Sequence, residues 1–559
     1  MSRNFTLFIF LLSIFLTPSR SQDRYYTECN QVIEWSYESN KVYEDPFNAV
    51  SVYAKIIVGN QKIFFLPGFW DGVQNWSFRF SYPERGNFQF ETVCTDESNT
   101  GLHGKKGWII NKPYSGNNHL YLNGPIKISD DHRHLVQNDG KPFFWLADSW
   151  WHGMTTRLTW PNDFKMLVAD RKEKGFSVIQ FAIGFPNDIP HFDMRGQNEA
   201  GDPWDSLYKS INPLYFQLVD RRIDWLVKQG IVPNIIGSWG YYMKWMGVTK
   251  FKKHWQYLIA RYGAYPVIWT VAGEATLSWS GDQIEHQDNE IATQRQLWSV
   301  IAKFIKEGDP FKRIITIHPG PEIKDGKTLL NDMTSIDMIM LQSGHSGFYS
   351  ISGAIENIKD ALFQYPDKPV LHGEVCFEGM QGTNRDDVQR ILFWGNMLSG
   401  TCGYSYGADG VWQFNTADHP FGVSTKGNNW SNIPWETACQ YPGSRQVGIG
   451  KKILEQIEWW RLKPANDNLI IRDKSLNNAF CAEIPGELVI CYLFQPPASL
   501  KDYTITALLP ETTYHLVWYD PITGDRYDGN TVISTAQGYF QIPNAPLTQD
   551  WVLTLQKLQ

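Results

Sequence analysis

No Lys/Arg-rich run appears anywhere in the chain, and the formal net charge is −7. A polyanion such as nucleic acid would find no electrostatic footprint here. Nor is there an apolar stretch of the about twenty residues that a bilayer-crossing helix needs. Cysteine is scarce: there are seven, none at the Cys-x-x-Cys spacing of a metal ribbon, and the odd count leaves at least one unpaired. Cys481 and Cys491 lie symmetrically about Pro485-Gly486 in an apparent hairpin; they are the best disulfide candidates, with two buried thiols equally open. No internal repeat or low-complexity tract is visible.

What the chain does have begins at its N-terminus. Arg3 precedes a continuous apolar segment, Phe5 to Leu16, followed by the small residues Ser19 and Ser21. A charged n-region, an apolar core of about a dozen residues and small residues at the exit form an export signal. The reading is a signal peptide over 1–22 and a mature protein in an extracytoplasmic compartment: periplasm, cell surface or medium. No Cys directly follows the run, so a lipid anchor is not supported. Aromatics are abundant, at 15% with 24 Trp and 26 Tyr. Most should fill cores, while their flat faces also suit the C–H faces of sugars.

At 559 residues the length favours about three domains. Over 23–118, short alternating runs separated by Gly-Asn, Pro-Gly, Asp-Gly and Arg-Gly predict a β-sandwich. From 119 to 460 the chain alternates strand-like and helix-like runs. The strand-like ones are Phe143–Trp151, Phe176–Gly184, Ile231–Gly240, Val267–Glu274, Arg313–Gly320, Ile336–His345, Val370–Glu378 and Thr401–Gly410. Helices are predicted over Pro161–Lys174, Pro213–Gln229, Phe251–Tyr262, Asn289–Glu307, Ala354–Phe363 and Arg385–Leu398, with Arg445–Trp460 closing the unit. After the fifth strand only Thr328–Met333 offers a brief helix. Eight alternations are the signature of a (β/α)₈ TIM barrel. From 461 to 559 short strands return as a second β-sandwich, read as a cap on the barrel. The fold class is therefore α/β, a TIM barrel flanked by N-terminal and C-terminal β-sandwiches.

In such a barrel the chemistry sits at the C-terminal ends of the strands, and here every one of those ends is polar. Two of them repeat one design: YPVIWTVAGE delivers Glu274, and PVLHGEVCFEG delivers Glu374 behind a Gly. Strands four and seven face each other across a small mouth, so the two carboxylates can approach to the roughly 5–5.5 Å of a retaining glycosidase. Glu274 is assigned as acid/base and Glu374 as nucleophile, with Glu378 the runner-up nucleophile. Substrate contacts are expected from Asp148, Trp150, Trp151, His152, Trp239, Tyr241, His318, Gln342, His345, Glu378 and Asp409. No cofactor and no metal is required. The insertion Pro186–Pro213 should wall one side of the site and favour a pocket with exo cleavage.

The runs DGKPFFWLADSWWHGM, GFSVIQFAIG, YPVIWTVAGE and PVLHGEVCFEG resemble the bacterial apiosidase-like glycoside hydrolases, a clan A barrel family with a C-terminal domain often labelled collagen-binding. LPGFWDGVQNWSFRFSYPERGNFQFETVC resembles the β-sandwich that commonly precedes such barrels. The likeness implies Glu274 as acid/base, Glu374 as nucleophile and Asp148 as a contact for sugar hydroxyls, with an oligo- or polysaccharide as partner. One position departs. Clan A enzymes usually place Asn before the acid/base, where it holds the 2-hydroxyl, whereas this chain has Gly273. Two rival readings remain. A metal-dependent hydrolase would use His318, His345 and Asp409, and chelation would distinguish it. A non-catalytic glycan- or collagen-binding surface protein would have been marked by loss of one carboxylate.

Overall fold

The computed structural model describes residues 22–277, 284–320, 329–424, 427–428, 430–471 and 479–558. The export segment expected over the first 22 residues lies outside them apart from Gln22. Eight short parallel strands form the centre: β1 Trp145–Ser149, β2 Val178–Ala182, β3 Val232–Ile236, β4 Ile268–Thr270, β5 Ile315–Thr316, β6 Ile339–Gln342, β7 Val370–Glu374 and β8 Gly403–Tyr406. Nearly every residue in them is buried, as expected of strands covered on both faces. They hydrogen-bond in the order β5-β4-β3-β2-β1-β8-β7-β6. The ring therefore has a seam between β5 and β6, and no backbone ladder crosses it. Asp337 closes it instead: its N–H donates to the Ile315 carbonyl (2.8 Å), and its carboxylate accepts the Ile315 N–H (3.0 Å). Thr316 Oγ1 adds a bond to the Met338 carbonyl at 2.8 Å.

The strands are shorter than the runs that mark them. Within Val267–Glu274 only Ile268–Thr270 is ladder, because the chain then turns out of the sheet and Glu274 takes a left-handed φ of 41°. Among the described residues seven long helices pack around the ring: α1 Asn162–Glu173, α2 Pro213–Lys228, α3 Met243–Tyr262, α4 Ile284–Gly308, α5 Tyr349–Gln364, α6 Asp386–Leu398 and α7 Pro442–Leu454. In α2, Pro213 starts the first turn, and Tyr215, Phe216, Val219, Ile223 and Leu226 make the helical stripe that faces the sheet. From Asp387 onward α6 is buried all round. It lies between the barrel and the C-terminal domain. The brief helix expected between β5 and β6 does not form over Leu329–Met333, and Thr328 lies outside the described residues.

The N-terminal domain is a five-stranded sheet facing a three-stranded one. Its core alternates along Val52–Val58 and centres on Trp35, whose ring stacks on Phe78 with centroids 5.4 Å apart. A buried ionic network ties it to the barrel: Arg79 reaches Asp220 of α2 at 2.6 Å, and Asp220 also pairs with Arg261 of α3 at 2.5 Å. The C-terminal domain pairs a six-stranded with a three-stranded sheet. Arg390 of α6 pairs with Asp550 at 2.8 Å, and Trp394 stacks on Tyr492. Cys481 stands opposite Cys491 on neighbouring strands, both buried, with sulfurs 2.8 Å apart.

Candidate active site

A polar belt inside the barrel supports the site from below. Gln180 of β2 donates to Ser149 Oγ (2.8 Å) and, across the barrel, to the Gly373 carbonyl (2.7 Å); Thr270 of β4 donates to Asn234 of β3 (2.8 Å). All are fully buried. The belt fixes β7 immediately below Glu374.

Above it lies a pocket of about 240 Å³ lined by Trp151, Asn187, Asp188, Trp239, Glu274, Leu277, Gln342, Gly344, His345, Glu374, Phe377, Met380, Trp412, Asn428 and Trp430. Glu374 is almost wholly buried. Its Oε1 accepts hydrogen bonds from Gln342 Nε2 and His345 Nε2, each at 3.0 Å. The Phe377 N–H donates to His345 Nδ1 (3.1 Å), so the proton of that ring sits on Nε2 and points at the carboxylate. Glu374 Oε2 lies 3.4 Å from His318 Nε2, close enough for attraction without a full hydrogen bond. Burial alone would push this carboxyl up, but the two histidines outweigh it and bring the pKa down to about 2. Glu374 is therefore held as an anion.

Glu274 is held from two sides. Trp239 Nε1 donates to Oε2 at 3.0 Å, and Gln342 Nε2 donates to Oε1 at 3.1 Å. One amide nitrogen thus touches both carboxylates. A register shift between Leu341 and Gln342 in the β6 to β7 ladder turns that side chain toward the mouth. The orientation of the amide follows from charge, since its carbonyl end would repel the Glu374 anion.

Of the residues expected from sequence to contact substrate, Trp151, Trp239, Gln342 and His345 line this pocket, and His318 lies directly behind Glu374. The others are placed elsewhere. Asp148 is fully buried and committed to Arg171 of α1 (2.6 Å) and to Trp150 Nε1 (2.7 Å). Trp150 itself packs edge-on against Phe164 and Phe414. His152 binds the Asn187 carbonyl at 3.0 Å behind the wall, where burial, with the nearby Arg157 charge, lowers its pKa to about 3. Tyr241 clamps the insertion through the Pro186 and Ile189 carbonyls (3.0 and 3.1 Å). Asp409 anchors Gln413 and the Ser431 N–H at 2.7 and 3.2 Å. The His318, His345 and Asp409 set therefore does not converge, and among the described residues no group of three or more His, Cys, Asp or Glu is arranged to hold a metal ion. Asn187 and Asp188, the polar pair that ends the second strand-like run, also line the pocket, whereas Phe377, Trp412 and Trp430 were not selected from sequence. Their signal was only position, just beyond the ends of β7 and β8.

Glu378, the runner-up nucleophile, sits outside the pocket. Its oxygens accept the Tyr406 hydroxyl at 2.6 Å and the Gly443 N–H at 3.0 Å. Burial raises its pKa to about 7. A folded pKa above the unfolded value adds stability that is complete below the unfolded pKa of 4.5 and is lost as pH rises toward 7. Glu378→Gln should thus leave kcat within a few-fold of wild type. It should also flatten the fall in melting temperature between pH 5 and pH 8, which reflects an effect on the order of 2–3 kcal/mol. Loss of turnover in this variant would return Glu378 to candidacy as nucleophile.

A family profile described as "Apiosidase-like, catalytic domain" matches residues 129–461, more than half of the chain. The chain belongs to the apiosidase-like family. It is a glycoside hydrolase. A second profile, a domain of unknown function termed DUF5060, matches residues 27–95 in the N-terminal sandwich. Among solved structures, a putative glycoside hydrolase from Bacteroides vulgatus aligns over 96% of this chain and 100% of its own, at 16% identity and a TM-score of 0.69. A glycoside hydrolase family 5 protein from the same organism aligns over 78% of this chain and 93% of its own, at 20% identity and a TM-score of 0.64. At such identities the likeness is one of fold. No curated protein matches the sequence. Within the apiosidase-like frame the departure at Gly273 has a physical cause: a Cβ there would run into the Trp239 indole. The space an Asn would need is filled by the ring whose N–H holds Glu274.

Proposed function

We propose that this apiosidase-like protein is a secreted, retaining hydrolase that releases sugar units from the chain ends of a plant or other complex polysaccharide, or from its oligosaccharides. The observation that carries the reading is the shared amide. A nitrogen 3.1 Å from Glu274 Oε1 and 3.0 Å from Glu374 Oε1 bounds the separation of those oxygens at the sum of the two, 6.1 Å. Retaining enzymes hold their carboxyl groups roughly 5–5.5 Å apart, whereas inverting enzymes need roughly 6.5–9.5 Å to admit a water. Glu374, kept ionised, attacks the anomeric carbon as Glu274 gives its proton to the leaving oxygen. Glu274 then takes a proton from the water that cleaves the glycosyl-enzyme.

Exo action is supported by a tie across the mouth, in which Trp430 Nε1 of the loop after β8 donates to Asp188 Oδ2 of the loop after β2 (3.1 Å). That contact favours a pocket over an open cleft. The apolar N-terminal segment supports secretion. Proton NMR of the first-formed product is the test, and it should show the anomer of the substrate. Appearance of the opposite anomer would sink the short-spaced pair.

A further inference from the structure

At the opposite, N-terminal end of the barrel the structure leaves a cation without a counter-ion. A second pocket of about 240 Å³ opens where the N-terminal sandwich, the segment that follows it and the starts of β4 and β5 meet. Arg313, just before β5, forms its back wall and is only 7% exposed. Its Nε and Nη2 donate to the carbonyls of Gly263 and Ala264 at 2.9 and 3.2 Å, closing the C-terminal end of α3. That accounts for two of the five N–H donors of a guanidinium. Among the described residues Nη1 has no hydrogen-bond partner and no carboxylate lies within ion-pair distance of the group. Asp309, the nearby acid, is engaged by Trp269 Nε1 and by the Phe311 and Arg313 backbone N–H groups. Burial lowers the Arg313 pKa to about 10, only partly offset by Asp309. A guanidinium taken out of water is stabilised by an anion.

The rest of the lining points the same way. Lys62 from the sandwich and Lys127 from the connecting segment add two more cations, and no Asp or Glu lines the pocket among the described residues. Phe64 and Phe311 offer apolar ring surface beside the guanidinium, and Phe311 lies against it with the centroid 5.3 Å away. We propose that this junction is a binding site for a small oxyanion, a carboxylate, sulfate or phosphate on a sugar-sized molecule, held by Arg313 with Lys62 and Lys127. The arginine side chain matches such groups through parallel N–H donors, the lysines through charge, and the rings through the apolar face of a sugar. The volume is that of one such unit, and the site is separate from the catalytic mouth.

Thermal melts and calorimetry on the full chain, with galacturonate, inorganic phosphate and galactose as probes, decide it. Galacturonate or phosphate should raise Tm saturably while galactose does not. A stronger response to galacturonate identifies an acidic sugar as the source, and a response to phosphate alone identifies a free oxyanion. The double variant Lys62→Ala/Lys127→Ala, which alters only exposed side chains, should weaken the anion about tenfold or more. Arg313→Lys should weaken it further, because the fork is lost while charge remains. No saturable response to either anion, an equal response to galactose, or undiminished affinity in the lysine variant would overturn the proposal.

Discussion

Glu374→Gln should lose turnover by a factor on the order of 10⁴ or more while still binding substrate. An amide has no charge with which to form the glycosyl-enzyme, yet it keeps the volume of the carboxyl. Its carbonyl can still accept from Gln342 and His345, as Oε1 does at 3.0 Å in the wild type. The new NH₂ would then face His318, which must present a bare nitrogen to it. The fold should survive, because the belt through Gln180 and Gly373 does not involve the Glu374 side chain. Steady-state kinetics and a binding titration on the same preparation separate the two effects. Residual kcat above a few per cent of wild type would show that another group attacks. Since Glu374 titrates near pH 2, the acidic limb of the wild-type profile should reflect a different group or unfolding.

Glu274→Ala is the second large effect, and its size should depend on the leaving group. Alanine is the better probe, because Trp239 and Gln342 donate to separate oxygens of Glu274 and a Gln could satisfy only one of them. With a poor leaving group, loss of the general acid should cost on the order of 10²–10⁴ in kcat/KM. With a dinitrophenyl glycoside, which departs without a proton, cleavage should remain fast and be followed by a slow second step. The base that activates water is then missing, so a glycosyl-enzyme should accumulate and be visible by intact mass. An equal loss for every leaving group would remove Glu274 from the acid/base role.

Periodicity made the barrel legible. Apolar runs ending in polar residues, spaced by helices, placed both glutamates at the mouth before any contact was known. What stayed hidden depends on partners distant in sequence. Asp148 ends β1 with the polarity of a site residue, yet Arg171 from the following helix neutralises it in the core. Glu378, four residues after Glu374, follows the backbone out of the mouth and meets Tyr406 and Gly443 behind it. Trp412 and Trp430 belong to loops with no repeat to read, and among 24 tryptophans composition cannot select them. The need for glycine at 273 is likewise invisible until the Trp239 ring is in place.

The seam between β5 and β6 carries a consequence for how this barrel breathes. Elsewhere around the ring each strand is held by a ladder, but here the work falls to the Asp337 N–H on the Ile315 carbonyl and to the side chains of Asp337 and Thr316. Segments with few backbone bonds open at lower free energy than the fold as a whole. The two lips of the seam lead directly to His318 and Gln342, which address Glu374 from either side. A parting there would separate the groups that hold the nucleophile while the rest of the barrel remained intact, so on warming, amide protons at Ile315 should exchange and activity should fade before the molecule melts.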